Sequence, residues 1–355
     1  MKMIKTTEPN WARILDLKPN NTILFRVDAS EQIGSGHVMR CLTLAEELRG
    51  SCNEIIFICR ELPGNLIKYI ETRGFGVQRL PLGLETDNWQ ADAEQTRAIL
   101  LHNKLKPDWL IVDNYSLDKQ WESALRLLVG RIMVIDDRAN REHDCDLLLD
   151  QNYYQDLCSR YQELVPEGTR QLLGPKYALL RREFKIVRQQ LSHHDGLIRR
   201  ILVCYGGSDP TNETAKALKA IKLLNHHQIA VDVVVGAANP NRELIKAICS
   251  GMVNTNFYCQ VDNMAELMNR SDLALGAGGT SNWERCYLGL PAVVTIVAEN
   301  QRETVEALAE AGIVWNLGWH QEVGADQLVE SVKTLLNNPA RVREMSQRGL
   351  ALFEG

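Results

Sequence analysis

Arg26-Val27-Asp28-Ala29-Ser30-Glu31-Gln32-Ile33-Gly34-Ser35-Gly36-His37 follows the apolar run Ile23-Leu24-Phe25 and precedes Val38, Cys41, Leu42, Ala45 and Leu48. The run has the make-up of a buried strand, and the later apolar residues recur at the i, i+3, i+4 spacing of one buried helical face. Strand, polar turn and helix therefore follow one another, with His37 in the first helical turn. Gly34 and Gly36 let the backbone approach a ligand closely. Free N–H groups and the dipole at a helix start favour an anion. The same dipole pushes a histidine toward its neutral form, in which it can act as a base. A histidine that merely caps its helix fits the spacing equally well.

The composition sets bounds around that stretch. A chain of 355 residues, 45% hydrophobic, is long enough for two domains with separate cores. Its 40 Lys+Arg stand against 45 Asp+Glu without a dense basic run, which argues against a nucleic-acid or anionic-membrane surface and for a small-molecule partner. Nine scattered cysteines with no C-x-x-C pair fit reduced thiols in the cytoplasm, not a disulfide framework or a zinc site. The longest apolar stretches, such as Ala292 to Ala298, are strand-sized, so no membrane span is expected. Residues 1–20 lack an apolar signal-peptide core and read as an extension ahead of the first strand.

From Thr22 to about Leu149, short β-rich runs alternate with amphipathic stretches. Strands are expected at Ile23 to Val27, Ile55 to Cys59, Val77 to Leu80, Trp109 to Val112, Ile132 to Ile135 and Leu147 to Leu149. That alternation predicts a parallel sheet covered by helices on both faces. Ligands bind such sheets beyond the carboxyl ends of the strands, where Asp28, the triplet Asp113-Asn114-Tyr115 and the triplet Asp136-Asp137-Arg138 fall. Any one of these could simply cap the next helix.

Tyr153 to Gly174 reads as a return segment, Leu180 to Leu191 as a charged helix, and Ser192-His193-His194-Asp195-Gly196 as a linker. Adjacent histidines point apart and have no third ligand, so no metal is expected there. The alternation then restarts. Strand Ile201 to Tyr205 enters Gly206-Gly207-Ser208-Asp209-Pro210-Thr211-Asn212, a second phosphate-type turn, and later Gly276-Ala277-Gly278-Gly279-Thr280-Ser281-Asn282-Trp283-Glu284 joins a strand to a helix. Gly278, Gly279, Thr280 and Ser281 would offer N–H and O–H donors to a diphosphate. Glu284, one turn on, would accept both ribose hydroxyls; alternatively Ser281-x-x-Glu284 is a capping box.

A dinucleotide-binding fingerprint is excluded, because Met39 stands where its third glycine is needed, and no Walker A spacing occurs. Two α/β domains, each with a glycine-rich loop, instead suggest the GT-B layout: two Rossmann-like domains facing each other across a cleft. The expected division is an extension (1–20), an N-terminal Rossmann-like domain (21–191), a C-terminal Rossmann-like domain (198–338) and a C-terminal helix (339–355).

Six segments, FRVDASEQIGSGHVMRC (25–41), VDNYSLD (112–118), VIDDRANREHDCDLLLD (134–150), YALLRREF (177–184), CYGGSDPTN (204–212) and GAGGTSNWERCYLGLPAVV (276–294), resemble the UDP-2,4-diacetamido-2,4,6-trideoxy-β-L-altropyranose hydrolases of pseudaminic acid biosynthesis. Those enzymes are relatives of the UDP-N-acetylglucosamine transferase of peptidoglycan synthesis that use water in place of a sugar acceptor. The resemblance implies hydrolysis to UDP and free sugar by water attack at the anomeric carbon with inversion. It gives His37 as catalytic base and Asn212 and Glu284 as contacts of the nucleotide sugar. Neither cofactor nor metal is expected, and a monomer is. Asp28 or Tyr115 would orient His37. Arg181 is a substrate donor or a surface helix charge. Gly34, Gly36, Gly206, Gly207 and Ser208 would border the ligand. A GT-B glycosyltransferase building a surface glycan would share these motifs, and a non-catalytic nucleotide-sugar sensor would not need His37.

Overall fold

The computed structural model describes residues 9–82, 88–191 and 194–354. Residues 1–8 of the expected extension, and Ser192 and His193 of the expected linker, lie outside the described residues. The chain divides into two compact α/β units. The first runs from the N-terminal helix to Asn152 and from Asp156 to Leu179; the second takes Tyr153–Gln155 and the chain from Leu180 onward.

In the first domain the helices are α1 (Trp11–Ile14), α2 (Gly36–Leu48), α3 (Ile67–Thr72), α4 (Trp89–His102) and α5 (Lys119–Leu125). Its strands are β1 (Thr22–Val27), β2 (Glu54–Arg60), β3 (Gly76–Leu80), β4 (Trp109–Asp113), β5 (Arg131–Ile135), β6 (Leu147–Asp150) and β7 (Arg170–Leu173). All seven pair in parallel in the order β3-β2-β1-β4-β5-β6-β7. The inner strands are mostly apolar because each face is buried in a different core. Ile23, Phe25 and Val27 pack with Val38, Cys41 and Leu48 of α2 on one face, whereas Leu24, Ile58 and Leu110 pack with Trp121 and Leu125 of α5 on the other.

Two segments differ from expectation. Trp11 and Leu15, within the expected extension, are buried in the first core, and Trp109 Nε1 donates to the Leu15 carbonyl at 2.9 Å. A four-residue helix is too short to show a period, so composition could not reveal it. The return segment contains β7, a short edge strand of which only Leu172 is fully buried.

The second domain holds α6 (Arg182–Arg188), β8 (Arg200–Cys204), α7 (Glu213–Leu224), β9 (Ala230–Val235), α8 (Arg242–Ser250), β10 (Thr255–Cys259) and α9 (Met264–Asn269). It continues with β11 (Leu273–Ala277), α10 (Ser281–Tyr287), β12 (Ala292–Ile296), α11 (Arg302–Glu310), β13 (Val314–Trp319), α12 (Ala325–Leu336) and α13 (Pro339–Ala351). The parallel order is β10-β9-β8-β11-β12-β13. Helix α6, expected in the first domain, groups with the second. Glu183 accepts from Ala265 N at 3.0 Å, and Arg188 donates to the Tyr287 carbonyl. Helix α13 likewise places Val342 and Met345 in the second core.

Both sheets reverse their winding once, between β1 and β4 and between β8 and β11. At such switch points the loops after the two central strands diverge and leave a crevice for ligand. The loop after β1 leads to His37, and β4 ends at Asp113.

Candidate active site

The two residues meet at the first switch point. His37 Nδ1 lies 2.6 Å from Asp113 Oδ1, and the carboxylate is fully buried. Arg40, one turn along α2, grips the same carboxylate with both arms of its fork, Nε to Oδ2 at 2.6 Å and Nη2 to Oδ1 at 2.7 Å. Its third nitrogen, Nη1, reaches Asp137 Oδ2 at 2.9 Å. Burial would raise the Asp113 carboxyl, but Arg40 and His37 outweigh it and hold it well below the usual carboxylate range. An ionised carboxylate only accepts, so Nδ1–H donates to Asp113. In the neutral ring the lone pair then sits on Nε2, the arrangement of a carboxylate-oriented histidine base.

Helix capping is not the role of His37, whose Nδ1–H is engaged by Asp113. Nor does Asp28 orient it. The Asp28 carboxylate accepts from Arg60 N at 2.7 Å and Asn114 Nδ2 at 2.9 Å and pairs with Arg26 at 2.7 Å. Tyr115 does contact the histidine, ring edge to face with centroids 4.6 Å apart, and its hydroxyl donates to Asp137 Oδ1 at 2.6 Å. Gly34 adopts φ +79°, a left-handed conformation that a side chain would strain, and Gly36 opens α2.

At the second switch point the loops are more self-contained. Asp209 accepts from Glu213 N at 2.9 Å and Thr214 N at 3.0 Å, so its own carboxylate occupies the helix start expected to take a phosphate. Asn212 stands at φ +58°, and its buried Oδ1 finds no hydrogen-bond partner among the described residues. Gly206, Gly207 and Ser208 form the turn between β8 and α7. Gly278 is explained by packing, since a Cβ there would lie 2.3 Å from Val305 Cγ2. Gly279 and Ser281 are half-buried and Thr280 is exposed at the start of α10, where Thr280 makes no side-chain cap.

Glu284 is not engaged as a capping-box residue. Its Oε1 accepts from Arg181 Nη2 at 2.9 Å and Nε at 3.2 Å. Arg181 also pairs with Glu183 at 2.6 Å. The motif around Arg181 and the motif around Glu284 thus form one polar cluster within the second domain. Sequence reasoning missed Asp113 and Arg40 as partners of His37. Arg40 was legible as a residue on the same helical face three positions on, whereas Asp113 lies 76 residues away and is joined only by strand pairing of β1 with β4. No group of three or more His, Cys, Asp or Glu with metal-binding geometry occurs among the described residues, and no described helix is long and apolar enough to cross a membrane.

Residues 201–353 match the glycosyltransferase family 28 C-terminal domain. Over 284 residues the chain is 31% identical to an uncharacterized protein of Methanocaldococcus jannaschii, the match covering 78% of this chain and 56% of that one. The chain thus spans little more than half the length of that relative. Over 296 residues it is 28% identical to the UDP-2,4-diacetamido-2,4,6-trideoxy-beta-L-altropyranose hydrolase of Campylobacter jejuni, covering 82% of this chain and 97% of that enzyme. Its fold superposes on MurG of Acinetobacter baumannii with a TM-score of 0.64 at 13% identity, covering 94% of this chain and 95% of that one. The chain therefore has the GT-B fold, and the resemblance of its motifs to the UDP-2,4-diacetamido-2,4,6-trideoxy-β-L-altropyranose hydrolases extends over most of its length.

Proposed function

We propose that the chain is a nucleotide-sugar hydrolase that cleaves UDP-2,4-diacetamido-2,4,6-trideoxy-β-L-altropyranose to UDP and the free sugar. The observation that carries this reading is the buried His37–Asp113–Arg40 constellation at the first switch point. Water held at Nε2 loses its proton to the imidazole as its oxygen attacks the anomeric carbon. The bond from that carbon to the UDP oxygen breaks on the opposite face, which inverts the centre. Asp113 stabilises the imidazolium that forms, and Arg40 balances Asp113 before the proton arrives.

UDP leaves as a diphosphate whose charge is already delocalised, so the demanding step is activation of water. In the second domain Glu284, steadied by Arg181, is the proposed acceptor for the ribose hydroxyls, with Asn212 and the glycine turns bordering the nucleotide. Transfer to a sugar acceptor is the competing reading, favoured by the MurG-like fold and the family 28 domain.

Incubation with the named UDP-sugar in oxygen-18 water and EDTA decides between them. Label in the free sugar is expected. Label in UDP would overturn the mechanism, and turnover only after an acceptor sugar is added would establish a transferase.

A further inference from the structure

A cavity of about 590 Å³ lies at the carboxyl ends of β1, β2 and β4, lined by Arg26, Asp28, Arg60, Asp92 and Asn114 and by the apolar side chains of Leu62, Trp89 and Leu117. Asn114, which follows Asp113 directly, lies at the end of β4. Arg26 is 1% exposed. Its Nε donates to Asp92 Oδ1 at 3.1 Å and its Nη2 to Asp92 Oδ2 at 2.6 Å, with Asp28 Oδ2 at 2.7 Å. The remaining nitrogen, Nη1, is buried and finds no hydrogen-bond partner among the described residues.

A buried guanidinium with an unmade hydrogen bond is costly and calls for a ligand that completes it. Two observations define that ligand. Arg26 and Arg60 are matched in charge by Asp28 and Asp92, so a further anion would meet no uncompensated cation. The carboxylate oxygens are already occupied: Asp92 also accepts from Arg60 Nη2 at 2.6 Å and Trp121 Nε1 at 3.0 Å, and Asp28 from Arg60 N at 2.7 Å and Asn114 at 2.9 Å. Asp28 Oδ1, which accepts from Arg60 N, keeps one site at which a hydroxyl would have to place its proton, whereas a carbonyl needs only the donor that Arg26 Nη1 offers. The apolar wall suits a methyl group next to that carbonyl.

We propose that this cavity is an acylamino subsite for the sugar, in which Arg26 Nη1 donates to the acyl carbonyl and Leu62, Trp89 and Leu117 receive its methyl. The inference rests on the chain being a UDP-sugar enzyme but not on hydrolysis, because its test reads binding.

The full chain carrying His37→Asn, which spares the substrate, is titrated with UDP, with the diacetamido UDP-sugar and with its two analogues in which one acetamido group is replaced by hydroxyl. Hydrogen bonds to charged groups are worth about 1.5 to 3 kcal/mol, so one analogue should bind about ten- to a hundredfold more weakly than the diacetamido compound. Adding Arg26→Met should erase that preference and leave UDP affinity unchanged. Should that variant fail to fold, Ser116→Phe, at an exposed position on the cavity wall, blocks the subsite without touching the buried network and should erase the same preference. Equal binding of all three sugars in the starting protein, or full preference in the folded variants, would overturn the subsite. Failure of UDP itself to bind would instead overturn the UDP-sugar reading on which it rests.

Discussion

The two domains share one strand order around their switch points and differ in how they treat buried charge. In the first, carboxylates are surrounded by arginines: Asp113 by Arg40, and Asp92 by Arg26 and Arg60. Despite burial, which acts to raise them, Asp92 falls to about 2 and Asp113 lies below the usual range. At the second switch point, where α7 begins and α10 packs, burial dominates. Asp209 and Glu213 are pushed up, and the buried Arg285 guanidinium is pulled down. The first switch point is thus built of fixed charges that can hold a histidine and a developing cation, and the second of backbone, glycines and weakly charged caps. One topology supports both, so the chemistry belongs to the residues at the strand ends.

The largest expected effect breaks the first site. His37→Asn keeps a polar group but removes the base, and turnover of the UDP-sugar should drop by roughly 10²- to 10⁴-fold. UDP affinity should hardly change if the nucleotide is bound by the second domain. Steady-state kinetics with calorimetric titration of UDP check both halves, and near-normal turnover would reduce His37 to a structural role.

Matched changes at the two switch points come next. Asp113→Asn leaves the buried Arg40 with Asp137 as its remaining carboxylate among the ion pairs of the described residues. Breaking a buried pair costs about 3 to 5 kcal/mol. Asp209→Asn retains an acceptor oxygen for a helix start where the whole cap is worth only about 0.5 to 2 kcal/mol. Urea unfolding of the two variants should therefore separate them clearly. Equal losses would mean that the charge contrast between the domains carries no energetic weight.

This contrast explains what was legible in the sequence. Buried parallel strands reveal themselves as apolar runs, and each run named in the first domain, from Ile23 to Leu149, is a strand. The turn that ends at His37 was equally clear, because glycines and a helical period bracket it. Edge strand β7 escaped notice because only one of its residues is fully buried, and α1 because it has no period to detect. The partners of His37 and Arg26 were hidden for a different reason. Asp113 and Asp92 lie 76 and 66 residues from them, and spacing along the chain says nothing about carboxylates that only the sheet brings together. Asp28 or Tyr115 was the expected orienting group; Tyr115 does pack against the ring, but the hydrogen bond from Nδ1–H goes to Asp113 across the β1–β4 pair.

Glu284→Gln probes the second site and should have a smaller effect. If the carboxylate grips the ribose, exchanging a charged double acceptor for an amide costs about 1.5 to 3 kcal/mol, and UDP should bind about ten- to a hundredfold more weakly. Wild type should discriminate against 2′-deoxy-UDP, and the variant much less. Equal affinities of both proteins for both nucleotides would leave Glu284 as the partner of Arg181 alone.

The smallest effect per step comes from a buried carboxyl of the first domain that is raised where Asp92 and Asp113 are lowered. Asp150 is fully buried at the end of β6, accepts from Asn152 N at 2.9 Å and Tyr161 Oη at 3.0 Å, and is pushed up to about 7 by burial and by nearby Asp137. Below the ordinary aspartate value of 3.8 both folded and unfolded chains hold its proton, so it contributes no pH dependence there. Between 3.8 and about 7 the folded chain keeps a proton that the unfolded chain has released. Stability then falls as pH rises, by at most about 1.4 kcal/mol per pH unit. Above that window the loss is complete and constant. Asp92 and Asp113 work in the opposite sense, stabilising above the unfolded carboxylate range and losing that contribution as pH falls below it. Asp150→Asn retains an acceptor for Asn152 N and cannot ionise. Its unfolding free energy, measured in urea between pH 5 and 8, should decline less steeply than that of wild type by up to that slope, and the two curves should run parallel above the window. Parallel curves throughout would show that Tyr161 and Arg160, whose Nε lies 3.4 Å from Asp150 Oδ2, already hold Asp150 ionised, which would bring it into line with the arginine-compensated carboxylates around it.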